Sequence, residues 1–382
     1  MDALKTEVLI SLISGAVHGC EPVLPDGCEL SEDLLLELYN VSRNHDAAHL
    51  VGAALGYVDC VTVPSIYGDS TFFAIYRYEN MSFTLKNVSA ALESAGIPFI
   101  PLKGAVISEL YPEPWMRTSC DIDILVHEQD TERAVDELTE KLGFSSGKKG
   151  RHDVVLTSAE GISLELHFTL LEDDDFRDAS EVLSRVWSCA SPVKEGGFEY
   201  RLSSEMLCFY HIVHMARHFI CGGCGIRPFL DLYLITDKNP ERLPYGLLKR
   251  AGLVKFGESV TKLSNVWFGN GEHDEVTLEM QEFIIDGGKF GSDESRLAAW
   301  ESVAGGKKKY VASRIFLPYD KLKYQYPVLE KHRFLTPACE ICRLFSLVAG
   351  KKKKVRKKQF DRINKLSEGY AEKTAALFEK IF

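Results

Sequence analysis

The spacing of apolar and polar positions divides the chain into segments of two kinds. Through residues 2–95 apolar positions recur every three or four residues, as in 34–55 and 72–96, and this spacing predicts α-helices. The second of these segments ends on Gly96, with Pro98 just beyond it, a combination that stops a helix. The N-terminal part of the chain is therefore predicted to be helical.

Between residues 98 and 170 short strand patterns alternate with helical ones. Strands are indicated by short apolar runs and by alternation of apolar and polar residues, and turn residues 158–161 separate the last two. The predicted order is strand 98–102, helix 104–111, strand 121–126, helix 130–144, strand 152–157 and strand 162–168. After residue 176 the helical spacing returns, as in 205–219, 229–236 and 247–268.

These patterns predict an α+β protein, in which a small mixed-sheet core is flanked by N-terminal and C-terminal helical regions. A chain of 382 residues is long enough for two or three packed units. The predicted regions are an N-terminal helical region 1–95, an α/β core 96–175, a C-terminal helical domain 176–350, and a basic run with a terminal helix, 351–382.

Composition and charge exclude some classes of protein. The hydrophobic fraction of 45% and the charged fraction of 26% are those of an ordinary soluble globular protein. A net charge of −10 argues against a general nucleic-acid coat protein, which needs clustered cations to bind phosphates. The basic run KKKKVRKK at 351–358 follows the apolar stretch 334–350. It is interpreted as a contact for anionic membrane lipid, as a contact for RNA, or as a solvated helix face.

The N-terminus and the cysteines indicate where the protein resides. The early apolar run lacks the positive leader of a secretory signal, because Asp2, Lys5 and Glu7 give a mixed charge, and a docked helix is predicted instead. No uninterrupted apolar stretch of about 18 residues predicts an integral membrane span. Ten cysteines at irregular spacings suit a reducing compartment. We therefore expect a cytoplasmic protein without disulfides.

Three acidic residues on two predicted strands are the strongest chemical signal in the sequence. Asp121 and Asp123 are two residues apart on one strand and therefore share a face, as Glu165 and His167 do on another. If the strands are neighbours, the three carboxylates converge, and their repulsion favours a bound cation. Mg²⁺ prefers such oxygen ligands, and three carboxylates suit two-metal phosphoryl transfer. An edge strand with one solvated face would alternate in the same way, which is the alternative interpretation of the Asp-x-Asp pattern.

A candidate phosphate site precedes the acidic strand. Lys103 and Gly104 stand where a predicted strand passes directly into a helix, and free N–H groups at a helix start bind phosphate where glycine permits close approach. Arg117, four residues before Asp121, adds a second positive charge. A plain helix boundary is the alternative interpretation of the Lys-Gly pair.

The residues of 102–126, LKGAVISELYPEPWMRTSCDIDILV, resemble the uncharacterised bacterial nucleotidyltransferases grouped with the polymerase-β-like superfamily. Three further segments are similar to that family: LELHF at 164–168, the helical His cluster at 211–219 and the Arg-x-x-x-Asp segment at 225–235. The stretch 316–344 resembles the family's C-terminal part more loosely. The resemblance implies transfer of a nucleotide from an NTP, such as ATP, to an acceptor, with metal ions held by Asp121, Asp123 and Glu165. It implies no particular acceptor. The superfamily's usual Gly-Ser turn is replaced here by Lys103-Gly104.

Further polar residues have two interpretations. His211, His214 and His218 share one helical face, and Arg227 and Asp231 follow. One interpretation places them at the substrate cleft and the other in a buried polar network. The buried network is favoured for His211 and Asp231, and both interpretations stay open for His214 and Arg227. The predicted nucleotide-binding residues are accordingly Lys103, Gly104, Arg117, His167, His214 and Arg227.

Two Cys-x-x-Cys pairs raise the question of zinc. Cys221 with Cys224 and Cys339 with Cys342 have the spacing of zinc ligands. The second pair falls within a helical apolar pattern, where cysteine packs as a small hydrophobic residue. Buried thiols are therefore favoured over a zinc site.

The predicted function is Mg²⁺-dependent transfer of an NMP from an NTP to a hydroxyl acceptor, with release of pyrophosphate. The acceptor classes that stay open are a small molecule, a tRNA and a protein. One alternative is a toxin-type enzyme that modifies tRNA or protein, and another is a transferase for a sugar or an aminoglycoside. A third is a catalytically inactive module that binds nucleotide or a partner.

Overall fold

The computed structural model describes residues 2–59, 62–170, 176–289, 291–317, 319–349 and 368–382. It consists of many helices around one five-stranded mixed sheet and one two-stranded sheet, which confirms the predicted α+β class. The basic run 351–358, predicted to contact lipid, RNA or solvent, lies outside the described residues.

The N-terminal region is helical, as predicted. The helices are α1 (Ala3–His18), α2 (Glu32–Asn44), α3 (Ala48–Leu55) and α4 (Ser65–Ser94). The helical pattern at 34–55 is interrupted between α2 and α3, because Asp46 adopts a φ of 57° that no α-helix contains. Helix α4 starts before the predicted residue 72 and ends two residues before Gly96, whose φ of 64° reverses the chain.

The core is built from short strands and helices. They are β1 (Phe99–Pro101), α5 (Gly104–Ile107), β2 (Asp121–Val126), α6 (Thr131–Leu142), β3 (Ser145–Lys149), β4 (Asp153–Thr157) and β5 (Ser163–His167). The strand order is β1-β2-β5-β4-β3, in which only β2 and β5 are parallel. The sequence did not predict β3, because its residues Ser-Ser-Gly-Lys-Lys have no apolar alternation. Strand β3 forms through its pairing with β4 at the edge of the sheet.

The described residues of the C-terminal half form helices and one small sheet. The elements are α7 (Arg177–Leu183), β6 (Ala190–Pro192), β7 (Tyr200–Leu202), α8 (Ser204–Ile220), α9 (Arg227–Ile235), α10 (Tyr245–Arg250), α11 (Val254–Phe268), α12 (Glu275–Gly287), α13 (Asp293–Val303), α14 (Lys307–Ile315), α15 (Tyr319–Gln325), α16 (Val328–Lys331), α17 (Thr336–Ala349) and α18 (Glu368–Ile381). Strands β6 and β7 were missed because three residues are too few to establish a period. Among the described helices, none combines the length and apolar character needed to cross a membrane.

The two faces of the five-stranded sheet differ in chemistry. One face, which includes Ile122, Ile124 and Leu166, packs with residues of α4 and α6 in an apolar cluster. The opposite face carries Asp121, Asp123 and Glu165, because side chains alternate along each strand. The sheet therefore holds its acidic side chains on a rigid surface that is supported from behind.

Candidate active site

The acids on β2 and β5 meet because these strands are adjacent, parallel and in register. Asp123 lies directly opposite Glu165, and Asp121 lies opposite Ser163. Residues opposite each other in paired strands point to the same face. The condition that the sequence left open, namely that the two strands are neighbours, is met by the structure.

Asp123 is the most buried member of this group. Its Oδ1 accepts a hydrogen bond from Lys103 Nζ at 2.8 Å, and His167 Nε2 lies 2.8 Å from the same oxygen. Burial would raise the pKa of Asp123, but the Lys103 ammonium and the His167 hydrogen bond lower it to about 2. Asp123 is therefore an ionised carboxylate at neutral pH.

Asp121 has the opposite electrostatic balance. Burial raises its pKa, and the nearby charges of Asp123 and Glu165 raise it further. A hydrogen bond from Ser119 Oγ to Asp121 Oδ1, at 3.3 Å, only partly offsets this. A divalent cation among the three acids would favour the charged form of Asp121.

The donor atoms fit a metal ion. One ligand atom from each of Asp123, Glu165 and His167 lies within 4.8 Å of the other two. Among the described residues, no other set of three His, Cys, Asp or Glu side chains has this geometry. Asp121 is not a member of it, whereas the sequence predicted Asp121 as a ligand and His167 as a nucleotide contact. Nδ1 of the buried His167 has no hydrogen-bond partner. Carboxylate oxygens dominate the set, and hard cations such as Mg²⁺ prefer them.

Lys103 reaches Asp123 from a backbone conformation that is unusual for a residue with a side chain. Its φ is 42° and its ψ is −110°, a region that costs free energy unless neighbours enforce it. The chain is fixed on both sides of it: Leu102 N donates to Asp123 O, and Ile107 N donates to Lys103 O at 2.8 Å. Burial would lower the pKa of Lys103, but Tyr210 and Asp123 raise it overall. The ammonium is thus held charged beside the acids.

Gly104 is required because the backbone there lies against fixed side chains. A Cβ at this position would lie 2.9 Å from Arg117 Nη1 and 3.0 Å from Ser119 Oγ. Both neighbours belong to the segment that leads into β2. Close packing between Gly104 and this segment therefore helps to set the position of the first aspartate.

Gly104→Ala is predicted to lower the free energy of unfolding by about 1–3 kcal/mol, because the new methyl group overpacks the contact with Ser119 and with Arg117, whose guanidinium is held by Asp231. Urea denaturation of the variant and of the wild type measures the difference. Gly246→Ala is the matched control, since a Cβ there meets nothing within 4 Å and lies in a short helix. An equal loss in both variants would contradict the packing argument.

Arg117 lies in a buried ion pair with Asp231 of α9. Its Nε and Nη2 donate to the two carboxylate oxygens of Asp231, each at 2.9 Å, and Tyr111 Oη donates to Asp231 Oδ1 at 2.7 Å. Burial would raise the pKa of Asp231, but Arg117 lowers it overall. The pair joins the segment before β2 to α9, which agrees with the buried-network interpretation of Asp231.

Arg227 lies at a second, less buried junction. Its Nη1 donates to Thr118 O at 2.7 Å and to Asp46 Oδ2 at 3.3 Å. Lys289 Nζ also donates to Asp46, at 3.0 Å, and lies 3.6 Å from the Sγ of Cys120. Asp46 and Lys289 were not identified from the sequence, because they are far from Arg227 along the chain and lack a motif. Two partly buried cations thus stand beside the residues that precede Asp121.

Helix α8 carries polar side chains toward Lys103. Tyr210 lies close enough to the Lys103 ammonium for each group to influence the pKa of the other, and burial raises the pKa of the Tyr210 hydroxyl to about 12. Burial and the nearby Lys103 lower the pKa of His214 well below its usual value and that of His218 to about 4, so both imidazoles are neutral at pH 7. His211 is buried and its Nε2 contacts Pro228 O, as the network interpretation expected. Tyr210 was missed because an aromatic residue in a helical pattern indicates only packing.

The described cysteines do not form a group with metal-binding geometry. The nine cysteines that the structure describes are free thiols, and Cys224 and Cys339 are buried while Cys221 and Cys342 are exposed. Within the described part of the chain, neither Cys-x-x-Cys pair contributes to a group with metal-binding geometry.

A family model described as uncharacterised nucleotidyltransferase matches residues 36–269, which is more than half of the chain and includes all three acids. One solved structure, "Thermotoga maritima CCA-adding enzyme complexed with tRNA_CCA", is similar at 13% identity over 77% of this chain and 85% of that chain, with a TM-score of 0.22. A likeness of that size has no bearing on fold or function. No curated protein matches the chain.

The small mixed sheet, with acids from neighbouring strands on one face and helices around it, fits the nucleotidyltransferase core that the sequence resemblance implied. The family match agrees with it and confirms the resemblance seen in the sequence. The chain belongs to the family of uncharacterised nucleotidyltransferases.

Proposed function

We propose that the protein is a Mg²⁺-dependent nucleotidyltransferase of the polymerase-β-like type, which transfers an NMP from an NTP to a hydroxyl acceptor and releases pyrophosphate. The observation that carries the proposal is the in-register pairing of Asp123 with Glu165 on adjacent parallel strands, with Asp121 on the same face. Family membership supports the reaction class. The acceptor is a small molecule, a tRNA or a protein.

The carboxylates provide the metal site. Asp121 and Asp123 would hold Mg²⁺, with Glu165 completing the set and His167 within reach of it. Mg²⁺, when bound, neutralises charge on the triphosphate and lowers the pKa of the acceptor hydroxyl. The pKa of Asp121 is raised by burial first and then by the charges of Asp123 and Glu165, and a bound cation would offset both effects, which supports this assignment.

Glu165 is the proposed base of the reaction. Its side chain is 29% exposed, against 2% for Asp123, so it can reach an acceptor. The acceptor oxygen bonds to the α-phosphorus, and the bond from that phosphorus to the bridging oxygen breaks. Pyrophosphate leaves with the electron pair, and the hydroxyl proton passes to the Glu165 carboxylate.

Cationic and neutral donors around the acids are proposed to hold the triphosphate. Lys103 would release its hydrogen bond to Asp123 and donate to phosphate oxygens of the nucleotide. The backbone at Gly104 would lie close to the same phosphates. Arg227, whose side chain is 20% exposed, and neutral His214 would contact the nucleotide from the helical side. Arg117 is proposed as a positioning residue, because its side chain is 5% exposed and bound to Asp231.

The test of the proposal uses purified protein, Mg²⁺ and each NTP in turn, with small RNA, protein and metabolite fractions as acceptors. Label at the α-phosphate is expected in one fraction, and label at the γ-phosphate is expected in pyrophosphate. Label from the γ-phosphate in an acceptor would indicate a kinase. Absence of transfer to every fraction would favour the inactive nucleotide-binding alternative. The fraction that accepts label also separates the toxin-type reaction from modification of a metabolite.

Divalent-metal dependence is predicted separately. EDTA is expected to abolish transfer, and added Mg²⁺ or Mn²⁺ is expected to restore it. The carboxylates and the triphosphate are both negatively charged, so the nucleotide can bind beside the acids only when a divalent cation lies between them. Asp121→Asn is expected to weaken Mn²⁺ binding by at least about tenfold, as measured by electron paramagnetic resonance of free Mn²⁺. Unchanged Mn²⁺ affinity in this variant would remove Asp121 from the ligand set.

A further inference from the structure

Helix α4 carries an unusual stripe of exposed residues. Positions 65, 69, 72, 76, 79, 83, 86 and 90, spaced alternately by four and three, are all exposed. At the centre are aromatic side chains: Phe72 is 64% exposed, Tyr76 61% and Phe83 67%. Exposed Phe73 and Ile75 flank them. Phe72, Phe73 and Tyr76 form one exposed aromatic cluster and Phe83 lies further along the same face, and an exposed apolar patch of this kind marks an interaction site.

The other side of α4 is already occupied. Val88, Ala91 and Leu92 are buried in the cluster behind the sheet, and Tyr67 is buried, with its hydroxyl donating to Leu35 O at 2.7 Å. The core of the chain therefore explains the inward-facing residues of α4 but not its outward aromatic residues. The helix has apolar residues on two opposite sides, which a surface helix packed on one side alone does not need.

The spacing of the stripe is that of a coiled-coil seam. Alternation of four and three keeps one line of residues facing a partner helix over the whole length. Seven intervals of this kind, from Ser65 to Ala90, follow one another without interruption. At 1.5 Å per residue, the seam is about 38 Å long.

The order of residues along the seam is complementary to itself in the antiparallel direction. A two-fold axis that crosses α4 between residues 77 and 78 places Asp69 opposite Lys86 of a second copy, and Phe72 opposite Phe83. The same axis places Tyr76 opposite Glu79 and Ser65 opposite Ala90. By symmetry each pairing occurs twice, so the dimer contains two Asp–Lys pairs and two Phe–Phe pairs. A parallel arrangement would instead place each charge opposite its own copy and make like charges meet.

We propose that the outward face of α4 binds a second copy of this chain, with the two α4 helices packed antiparallel about that axis. The interface is isologous, since the same residues serve both copies. Its aromatic centre supplies apolar burial, and the Asp69–Lys86 pairs fix the direction and register of the helices. This inference is independent of the proposed enzymatic activity.

The experiment measures mass by light scattering after size-exclusion chromatography, over a hundredfold range of protein concentration. The wild-type protein is expected to approach twice the chain mass of 42.8 kDa. Phe83→Asp is expected to weaken the dimer at least about a hundredfold, because it replaces one ring of each Phe72–Phe83 pair with a carboxylate that has no cationic partner across the interface. Wild-type protein that stays monomeric throughout would overturn the proposal and leave RNA or another protein as the occupant.

Charge reversal tests the register. Asp69→Lys and Lys86→Asp should each weaken the homodimer by about tenfold, because each variant brings like charges together twice. The double variant should regain wild-type affinity. A mixture of the two single variants should form a heterodimer, since its opposing charges are again complementary. Failure of both restorations would exclude the proposed antiparallel register.

Two matched controls lie on other exposed surfaces. Phe345→Asp replaces an aromatic residue of α17 that is 71% exposed, and Lys255→Asp reverses an exposed charge on α11. Neither should change the mass. Circular dichroism of every variant checks the fold, and all of these side chains are exposed, so folding is expected to be retained.

Discussion

Asp123→Asn is expected to lower the rate of nucleotidyl transfer by at least about a thousandfold. The aspartate is ionised at neutral pH, with a pKa of about 2, and it lies opposite Glu165 in the proposed metal site. Asparagine keeps the shape of the side chain but removes the charge that would hold Mg²⁺. Release of pyrophosphate from the labelled NTP, followed with the accepting fraction, measures the loss.

The same substitution also has a structural cost that must be separated from the catalytic one. Asparagine removes the carboxylate that accepts the hydrogen bond of the partly buried Lys103 ammonium, and we expect a loss of about 1–3 kcal/mol in the free energy of unfolding. The double variant Lys103→Met with Asp123→Asn should recover much of that stability, because the uncompensated charge is gone. It should recover no transfer activity.

Glu160→Gln is the matched control for these variants. Glu160 is an exposed acid in the turn between β4 and β5, close to the site in sequence but outside the acidic face. It should leave both activity and stability unchanged. Near wild-type transfer in Asp123→Asn would refute the assignment of this residue, and recovery of activity in the double variant would mean that stability alone had been lost.

Asp231→Ala is expected to lower the free energy of unfolding by about 3–5 kcal/mol, the largest stability effect predicted for this chain. The substitution removes the carboxylate that accepts hydrogen bonds from Arg117 and Tyr111. A buried guanidinium and a buried hydroxyl then lose their partner. Urea denaturation followed by circular dichroism measures the change.

A double variant distinguishes the cost of leaving one charge buried without its partner from the net contribution of the ion pair to stability. Arg117→Met with Asp231→Leu removes both charges and keeps apolar volume, and it should lose less stability than either single change, since the two effects are coupled. A loss below about 1 kcal/mol in Asp231→Ala would show that the ion pair does not join α9 to the segment before β2.

The stability from this pair also has a predictable dependence on pH. The pKa of Asp231 is lowered in the folded protein relative to about 3.9 in an unfolded chain. Its contribution is therefore complete above the unfolded pKa and is lost as the pH falls through the folded pKa. Acid denaturation of the wild type should include this loss, and the Asp231→Ala variant should lack it.

The aromatic stripe of α4 illustrates how far a periodic pattern can be interpreted. The sequence predicted a helix at 72–96 from apolar positions spaced by three and four. That spacing does not separate the residues that pack on the sheet, such as Val88, from those that face outward, such as Phe83. The burial of each side chain, which depends on the neighbouring elements, divided the apolar residues into two faces.

Local patterns in the sequence determined the elements that bear the chemistry. Alternation placed Asp121 and Asp123 on one face of a strand, and the same rule placed Glu165 and His167 on another, because backbone geometry alone sets the direction of successive side chains. The family was recognisable from the residues around these strands. The helical character of both flanks also followed from local spacing.

Only the tertiary structure decided which of these elements meet. The parallel pairing of β2 with β5, the ion pair of Lys103 with Asp123 and the pairing of Arg117 with Asp231 each join residues far apart in the chain. Periodicity records whether a side chain faces the core, but it contains no information about the element on the other side. Strand order, register and the partners of buried charges arise from packing of the whole chain. The pairing of β2 with β5 brings Asp121, Asp123 and Glu165 together on one face of the sheet.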